Sequence, residues 1–241
     1  MSRAIAIVLA RGGSKRLPRK NIVDLAGKPM LAWSVEAALD SGCFDRVLVS
    51  TDDAEIARVG RHFGAEVPFL RTRAADDHAP ASDATRVALA QAEHHWGDRY
   101  DYVAQLMANC PLRNAQDTKD GFRAFLRSGA PAQISAFRFG WMNPWWAARI
   151  SDERQPTYLF PDAHDVRSQD LPPLYCPTGA FWIAHHDQFL EAGSFYMPAH
   201  VLYPMDWMSA LDIDDEDDLR MARACFALRG EPSCKSRIKH E

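Results

Sequence analysis

Two charged clusters stand near the two ends of the sequence. Residues 11–20 (RGGSKRLPRK) carry five positive charges and no acid, whereas residues 212–218 (DIDDEDD) carry six acids and no base. The basic cluster follows directly on an apolar run at residues 4–10. In an open parallel sheet, ligands bind beyond the carboxyl ends of the strands, so Arg11, Gly12, Gly13, Ser14 and Lys15 fall where a ligand would be held. Adjacent glycines let the backbone approach closely and aim N–H groups, and Arg11, Lys15, Arg16, Arg19 and Lys20 add charge; a phosphate group suits that combination. The segment is neither a GxxxxGK[ST] loop nor a GxGxxG fingerprint. The competing interpretations are a solvated basic loop and a nucleic-acid patch. A formal charge of -4, from 28 Lys+Arg and 32 Asp+Glu, argues against nucleic acid, which calls for a strongly basic surface.

Residues 209–213 at the acidic end are apolar enough to read as a strand. In a strand, residues two apart share a face, so Asp212 and Asp214 would point one way while Ile213 enters the core. Two carboxylates at a strand end suit Mg2+, which takes oxygen ligands and keeps several waters. Asp215 to Asp218 fit instead the first turn of a helix, where negative charge is favourable. A phosphate cradle and a metal site on one sheet point to a nucleoside triphosphate with Mg2+. The cations would stabilise a displaced pyrophosphate while the protein positions an attacking hydroxyl.

These clusters need a scaffold, and 241 residues with 47% hydrophobic and 25% charged content suffice for one α/β domain with a real core. Apolar runs at 4–10, 46–50, 66–70, 102–107 and 133–139 read as strands. Between them, residues 30–39, 55–63, 82–96 and 118–127 carry apolar side chains at helical spacing. That alternation predicts βαβ units and a mostly parallel central sheet with helices on both faces, a Rossmann-like arrangement. Gly64 sits where a helix would end, and Ser82 before Asp83 suits an N-cap. Residues 140–177 break the pattern with Trp141, Trp145, Trp146, Tyr158, Phe160 and Tyr175 among prolines. They are expected to form a hairpin-like excursion that packs on another chain or a ligand, against the alternative of a minor aromatic core. A strand returns at 178–185, then a helix at 186–191, a short strand at 201–203 and a final helix from about 215 to 229. One domain over 1–229 with a disordered tail at 230–241 is the expected organisation.

The apolar N-terminal run is too short to span a membrane and no cleavage-site pattern follows it, so neither a membrane span nor a secretory signal is expected. Five scattered cysteines without a CxxC pair argue against disulfides and zinc and for a reducing, cytoplasmic setting. They read as structural thiols rather than nucleophiles.

The segment from Ala10 to Lys15, followed by Leu17-Pro18-Arg19-Lys20-Asn21, resembles the signature loop of the CMP-sialic acid synthetases (acylneuraminate cytidylyltransferases). These join CMP from CTP to a nine-carbon 2-keto sugar acid. The similarity continues through Phe44-Asp45-Arg46-Val47, Val49-Ser50-Thr51-Asp52-Asp53, residues 64–69 with Arg71, Gln105, Cys110-Pro111-Leu112-Arg113, Gly179-Ala180 and residues 211–214, and so covers nearly all of residues 4–225. The resemblance implies a nucleotidyltransferase fold in which Arg11, Ser14, Lys20 and Asn21 hold the triphosphate and help expel pyrophosphate, with Lys20 and Arg11 as the catalytic pair. It implies that Arg71, Ser82 and residues 79–81 read the cytosine and ribose, that Gln105 contacts the sugar acid, and that Asp212 and Asp214 bind Mg2+. It also implies a homodimer in which residues 140–177 of one chain lie near the other's active site. On the residues alone, Arg71 and Gln105 would be read as a surface ion pair and a hydrogen-bonded strand end.

The chain departs from the sialic acid members. Cys176-Pro177-Thr178-Gly179-Ala180 stands where those often have an arginine before Asn-Gly-Ala, so Arg167, Arg138 or Arg149 would have to meet the substrate carboxylate; Arg167 is the one chosen. Residues 15–21 and Arg167-Ser168-Gln169-Asp170-Leu171 look closer to the pseudaminic and legionaminic acid branches. A nonulosonic acid of that kind, pseudaminic acid first, is the expected substrate. The rivals are an eight-carbon 2-keto sugar acid, a non-catalytic nucleotide-binding homologue, and a metal-dependent glycosyltransferase that would leave the loop at 11–21 without a purpose.

Overall fold

The computed structural model describes residues 2–74 and 80–230. In chain order its elements begin with β1 (Ala4–Leu9), β2 (Asp24–Leu25), β3 (Lys28–Pro29), α1 (Met30–Ser41), β4 (Arg46–Ser50) and α2 (Ala54–His62). There follow α3 (Ala81–Trp96), β5 (Tyr102–Met107), α4 (Ala115–Ser128), β6 (Ala132–Arg138), β7 (Ala148–Ile150) and β8 (Pro156–Tyr158). β9 (Tyr175–His185), α5 (His186–Ala192), β10 (Val201–Met205) and α6 (Glu216–Gly230) complete the chain.

A strand covered on both faces reads as an unbroken apolar run; β1 is buried at every position. It pairs in parallel with β4 on one side and β5 on the other, within a six-stranded sheet of order β10-β6-β9-β5-β1-β4. β9 alone runs antiparallel to its neighbours β5 and β6. The mixed α/β architecture with a mostly parallel sheet is therefore the expected one. Alternate residues of β1 enter different cores: Ala6 and Val8 pack with Leu31, Val35, Ile56 and Phe125 under α1, α2 and α4, while Ile5 and Ile7 pack with Ala88, Leu89 and Phe189 under α3 and α5. A third cluster joins Leu17, Leu112 and Ile213 to Leu219 and Ala222 of α6.

Helix starts are set by local chemistry. Asp53 caps α2, its Oδ1 accepting the N–H groups of Glu55 at 2.8 Å and Ile56 at 2.9 Å. Asn114 and Asp117 form a capping box at α4. After α2, Gly64 takes the left-handed φ of +92° that ends the turn there. Ser82 is not an N-cap: α3 starts at Ala81 behind Pro80, and no side chain caps it. Pro80 fixes the φ of the entering residue, and the helix begins two residues earlier than an N-cap at Ser82 would set it.

Two expected strands are absent. Residues 66–70 make a single bridge, Leu48 to Glu66, and Pro68 then ends the run, since proline has no N–H to give a ladder. Residues 209–213 are turn and irregular chain, with no ladder partner. Residues 140–177 do carry a hairpin, β7 with β8, and the returning strand begins at Tyr175, earlier than expected. Trp145 donates to the Pro172 carbonyl at 2.8 Å and meets Phe160 edge-to-face, while Trp141, Met142 and Ile150 stay exposed. Among the described residues no helix is long and apolar enough to cross a membrane. The tail at 230–241, apart from the backbone of Gly230, lies outside the described residues.

Gly121 of α4 packs tightly on the sheet: a Cβ there would sit 2.9 Å from the Phe181 ring. Gly121→Val should lower stability by about 1–3 kcal/mol through overpacking; urea unfolding measures it, and an unchanged midpoint would contradict the packing.

Candidate active site

The parallel register brings Leu9, Ser50 and Met107 level at the carboxyl edge of the sheet. The chain leaves the three strands there, and the loops enclose a cleft of about 540 Å³. Arg11, Ser14, Lys15, Arg16, Lys20, Asn21, Arg71, Asp212 and Asp214 all line it. The basic and acidic clusters thus meet in one site.

The loop after β1 is held from two sides. The Gly12 N–H donates to Asp52 Oδ1 at 2.9 Å, and a Cβ on Gly12 would meet Asp53 Oδ2 at 2.9 Å, so no larger residue fits without moving the β4–α2 turn. Gly13, by contrast, faces open space. Neither glycine lines the cleft; Gly12 shapes the loop that does. Asn21 is buried and donates from Nδ2 to the Arg11 carbonyl at 2.8 Å, tying the end of the basic segment to its start. Leu17 anchors the middle in the α6 core.

Lys20 Nζ lies 2.8 Å from Asp214 Oδ1, and an Arg16 guanidinium nitrogen lies 2.7 Å from Asp214 Oδ2. Burial pushes the Asp214 carboxyl up, but Lys20 and Arg16 outweigh it and hold it below the usual carboxylate range. Asp212 goes the other way: burial, and then the Asp214 charge, push it up to about 6. Asn109, which also lines the cleft, donates from Nδ2 to the Asp212 carboxylate.

Arg71 is buried rather than a surface ion pair. Its Nη1 donates to the Ser50 carbonyl at 3.0 Å and to Ser50 Oγ at 2.9 Å, and among the described residues its Nε has no hydrogen-bond partner. A buried donor without a partner on a cleft wall marks a place for a ligand acceptor. The burial lowers the pKa of its guanidinium.

Besides the two glycines, three predicted residues stand off the cleft. Gln105 is fully buried in β5, its Oε1 accepting from the Thr85 hydroxyl at 2.6 Å, so as it stands it makes no contact across the cleft wall. Ser82 is buried in the first turn of α3, between the wall residues Ala81 and Ala84. Arg167 is exposed in the excursion and pairs with Asp170 at 2.7 Å. Gln105 is expected at the cleft from the family resemblance alone; on the residues it reads as a hydrogen-bonded strand end, and that is how it stands. Ala79, part of the expected base-reading loop, lies outside the described residues. The residue that the sequence reading missed is Asn109; its signal was its place just past the carboxyl end of β5. Cys110 beside it is fully buried, and burial, with Asp212 next, pushes its thiol well up, which rules it out as a thiolate nucleophile.

Residues 5–132 match the sequence profile of a family described as cytidylyltransferase. The chain is 34% identical to a pseudaminic acid cytidylyltransferase of Campylobacter jejuni over 229 residues, 94% of this chain and 97% of that one. The chain belongs to the cytidylyltransferase family. A CMP-N,N'-diacetyllegionaminic acid synthase of Legionella pneumophila is 31% identical over 95% of this chain and 98% of its own. Among solved structures, a CMP:2-keto-3-deoxy-manno-octonic acid synthetase complexed with CTP superposes with a TM-score of 0.68 at 19% identity, over 95% of this chain and 100% of that one. That likeness concerns the fold. As a member of this family the chain is a CTP-dependent nucleotidyltransferase.

The contact between Gly12 and Asp53 yields a test. Gly12→Ala should weaken CTP binding roughly tenfold, about 1.4 kcal/mol, with little change in unfolding midpoint; isothermal titration calorimetry would read it, and unaltered affinity would show that the loop tolerates the displacement.

Proposed function

We propose that this cytidylyltransferase joins CMP from CTP to a nonulosonic acid, pseudaminic acid first, with release of pyrophosphate. The observation that carries the proposal is one cleft lined by Arg11, Ser14, Lys20 and Asn21 together with Asp212 and Asp214, in a chain whose relatives act, by name, on acids of that class.

The anomeric hydroxyl of the sugar acid attacks the α-phosphate of CTP and pyrophosphate departs in a single displacement. Lys20 and Arg11 stabilise the charge that builds on the phosphates, and Gly12 shapes the loop that carries Arg11. Arg71 on the cleft wall and Ser82 in the first turn of α3 are assigned to the nucleotide. Gln105 supports the floor through Thr85 and Met107, and Arg167 reaches the sugar acid in a second copy's cleft.

The donor set suits Mg2+. Asp212 and Asp214 are hard oxygen donors, and among the described residues no group of three or more His, Cys, Asp or Glu is arranged to cage a metal. Mg2+ is characteristically held by one or two carboxylates with phosphate oxygens and waters completing its shell. When bound it supplies positive charge to the triphosphate and the leaving pyrophosphate.

The protein acts in this proposal as a homodimer in the cytoplasm, one domain over 1–229 with the excursion at 140–177 against its neighbour. The exposed Trp141, Met142 and Ile150 support that contact, and the unpaired thiols of Cys43, Cys110, Cys176 and Cys225 support the compartment. Light scattering that found a monomer would contradict the first point.

CTP offered with pseudaminic, legionaminic, sialic and eight-carbon 2-keto acids should give pyrophosphate fastest with the first; a clear preference for the eight-carbon acid would replace the substrate assigned here. Lys20→Ala should cut that rate by roughly 10²–10³-fold, and full activity in the variant would sink the mechanism.

A further inference from the structure

Asp212 and Asp214 point into one cleft, yet no strand holds them there. Residues 209–213 form no ladder, so strand alternation does not account for the shared direction. Two like charges on an irregular segment repel each other, and something must fix their spacing.

One of the contacts that do so runs from the Asp214 N–H to Asp218 Oδ2 at 2.9 Å; most converge on Asn109. Its backbone carbonyl accepts the Ile213 N–H at 2.9 Å. Its Nδ2 donates to the Ile213 carbonyl at 3.1 Å, to the Asp212 carboxylate, and lies 3.4 Å from Asp214 Oδ1. Ile213, the residue between the two aspartates, is itself fully buried. Asn109 is only 6% exposed and sits in the turn that leaves β5, where the Cys110 N–H donates to the Met107 carbonyl at 3.3 Å. One side chain therefore ties both carboxylates to the end of a central strand.

We propose that Asn109 is the positioning residue of the carboxylate pair: it sets the spacing and direction in which Asp212 and Asp214 meet a divalent cation. The inference rests on the metal assignment made above. Lys20 and Arg16 do not serve this purpose, because both contact Asp214 and neither is bonded to Asp212. Asn109 is neutral, so it orients both carboxylates without cancelling the charge a cation would use. Groups of this kind behind a metal ligand are worth about 10–100-fold in metal affinity.

The test uses the full chain with Mn2+ as the probe, followed by electron paramagnetic resonance with and without saturating CTP. Asp212→Asn serves as the comparison, and thermal unfolding checks each variant. Asn109→Ala should bind Mn2+ at least tenfold more weakly than the wild type while keeping its melting temperature. In pyrophosphate release with the sugar acid, its apparent KM for Mn2+ should rise and its kcat should recover at saturating metal; a merely structural lesion would not be rescued in that way. Asn109→Ser, which keeps one donor on a shorter arm, should fall between the two, and carries the same comparison if the alanine variant does not fold. Wild-type affinity in both Asn109 variants, with Asp212→Asn impaired, would overturn this inference and leave the metal assignment standing. Equal Mn2+ binding by the wild type and Asp212→Asn would overturn the metal assignment, and this inference with it.

Discussion

The parallel pairing of β1 between β4 and β5 is the constraint on which the site depends. Because Leu9 lies level with both Ser50 and Met107, the next residues of all three strands emerge at one edge. Arg11, Asp52 and Asn109 each sit two residues past that line. The position of the basic loop is thus a property of the sheet register, and residues distant in sequence meet without any long-range recognition between loops. Full burial of β1 on both faces makes the register costly to slip, since moving by one residue would exchange the two cores that its side chains fill.

Residues of the central strands announced themselves. β1, β4 and β5 are apolar runs with helical patterns between them, and each was legible within a residue or so. Residues 66–70 and 209–213 look as apolar locally, but a strand also needs a neighbour with free backbone groups, and no local pattern reveals whether one is available. Glu66 finds one at β4, and the chain then peels away at Pro68. For 209–213 the expected shared direction of Asp212 and Asp214 was right while its expected cause was not: burial of Ile213 and the bonds from Asn109 replace the ladder.

The same contrast holds within the candidate site. Charge density in the sequence was enough to pick out Arg11, Lys15, Lys20 and the two aspartates, because charges of one sign gather where a ligand or counter-charge offsets their repulsion. Arg71 and Gln105 are single polar residues whose meaning depends on depth. One is buried with an open donor on the wall, the other buried with its amide engaged behind the wall. Depth at a particular position is a tertiary property, and family likeness alone cannot supply it.

Asp214 engages both Lys20 and Arg16 across more than 190 residues of sequence. Each of those cations can satisfy this carboxylate or an arriving anion, but not both at full strength. Any cation that takes Asp214 therefore frees two donors for an anion, and any anion that takes the donors frees Asp214. Linkage makes the two effects equal in free energy. The cleft is its own counterion through these ion pairs, and two ligands of opposite charge exchange with it more readily together than either does alone.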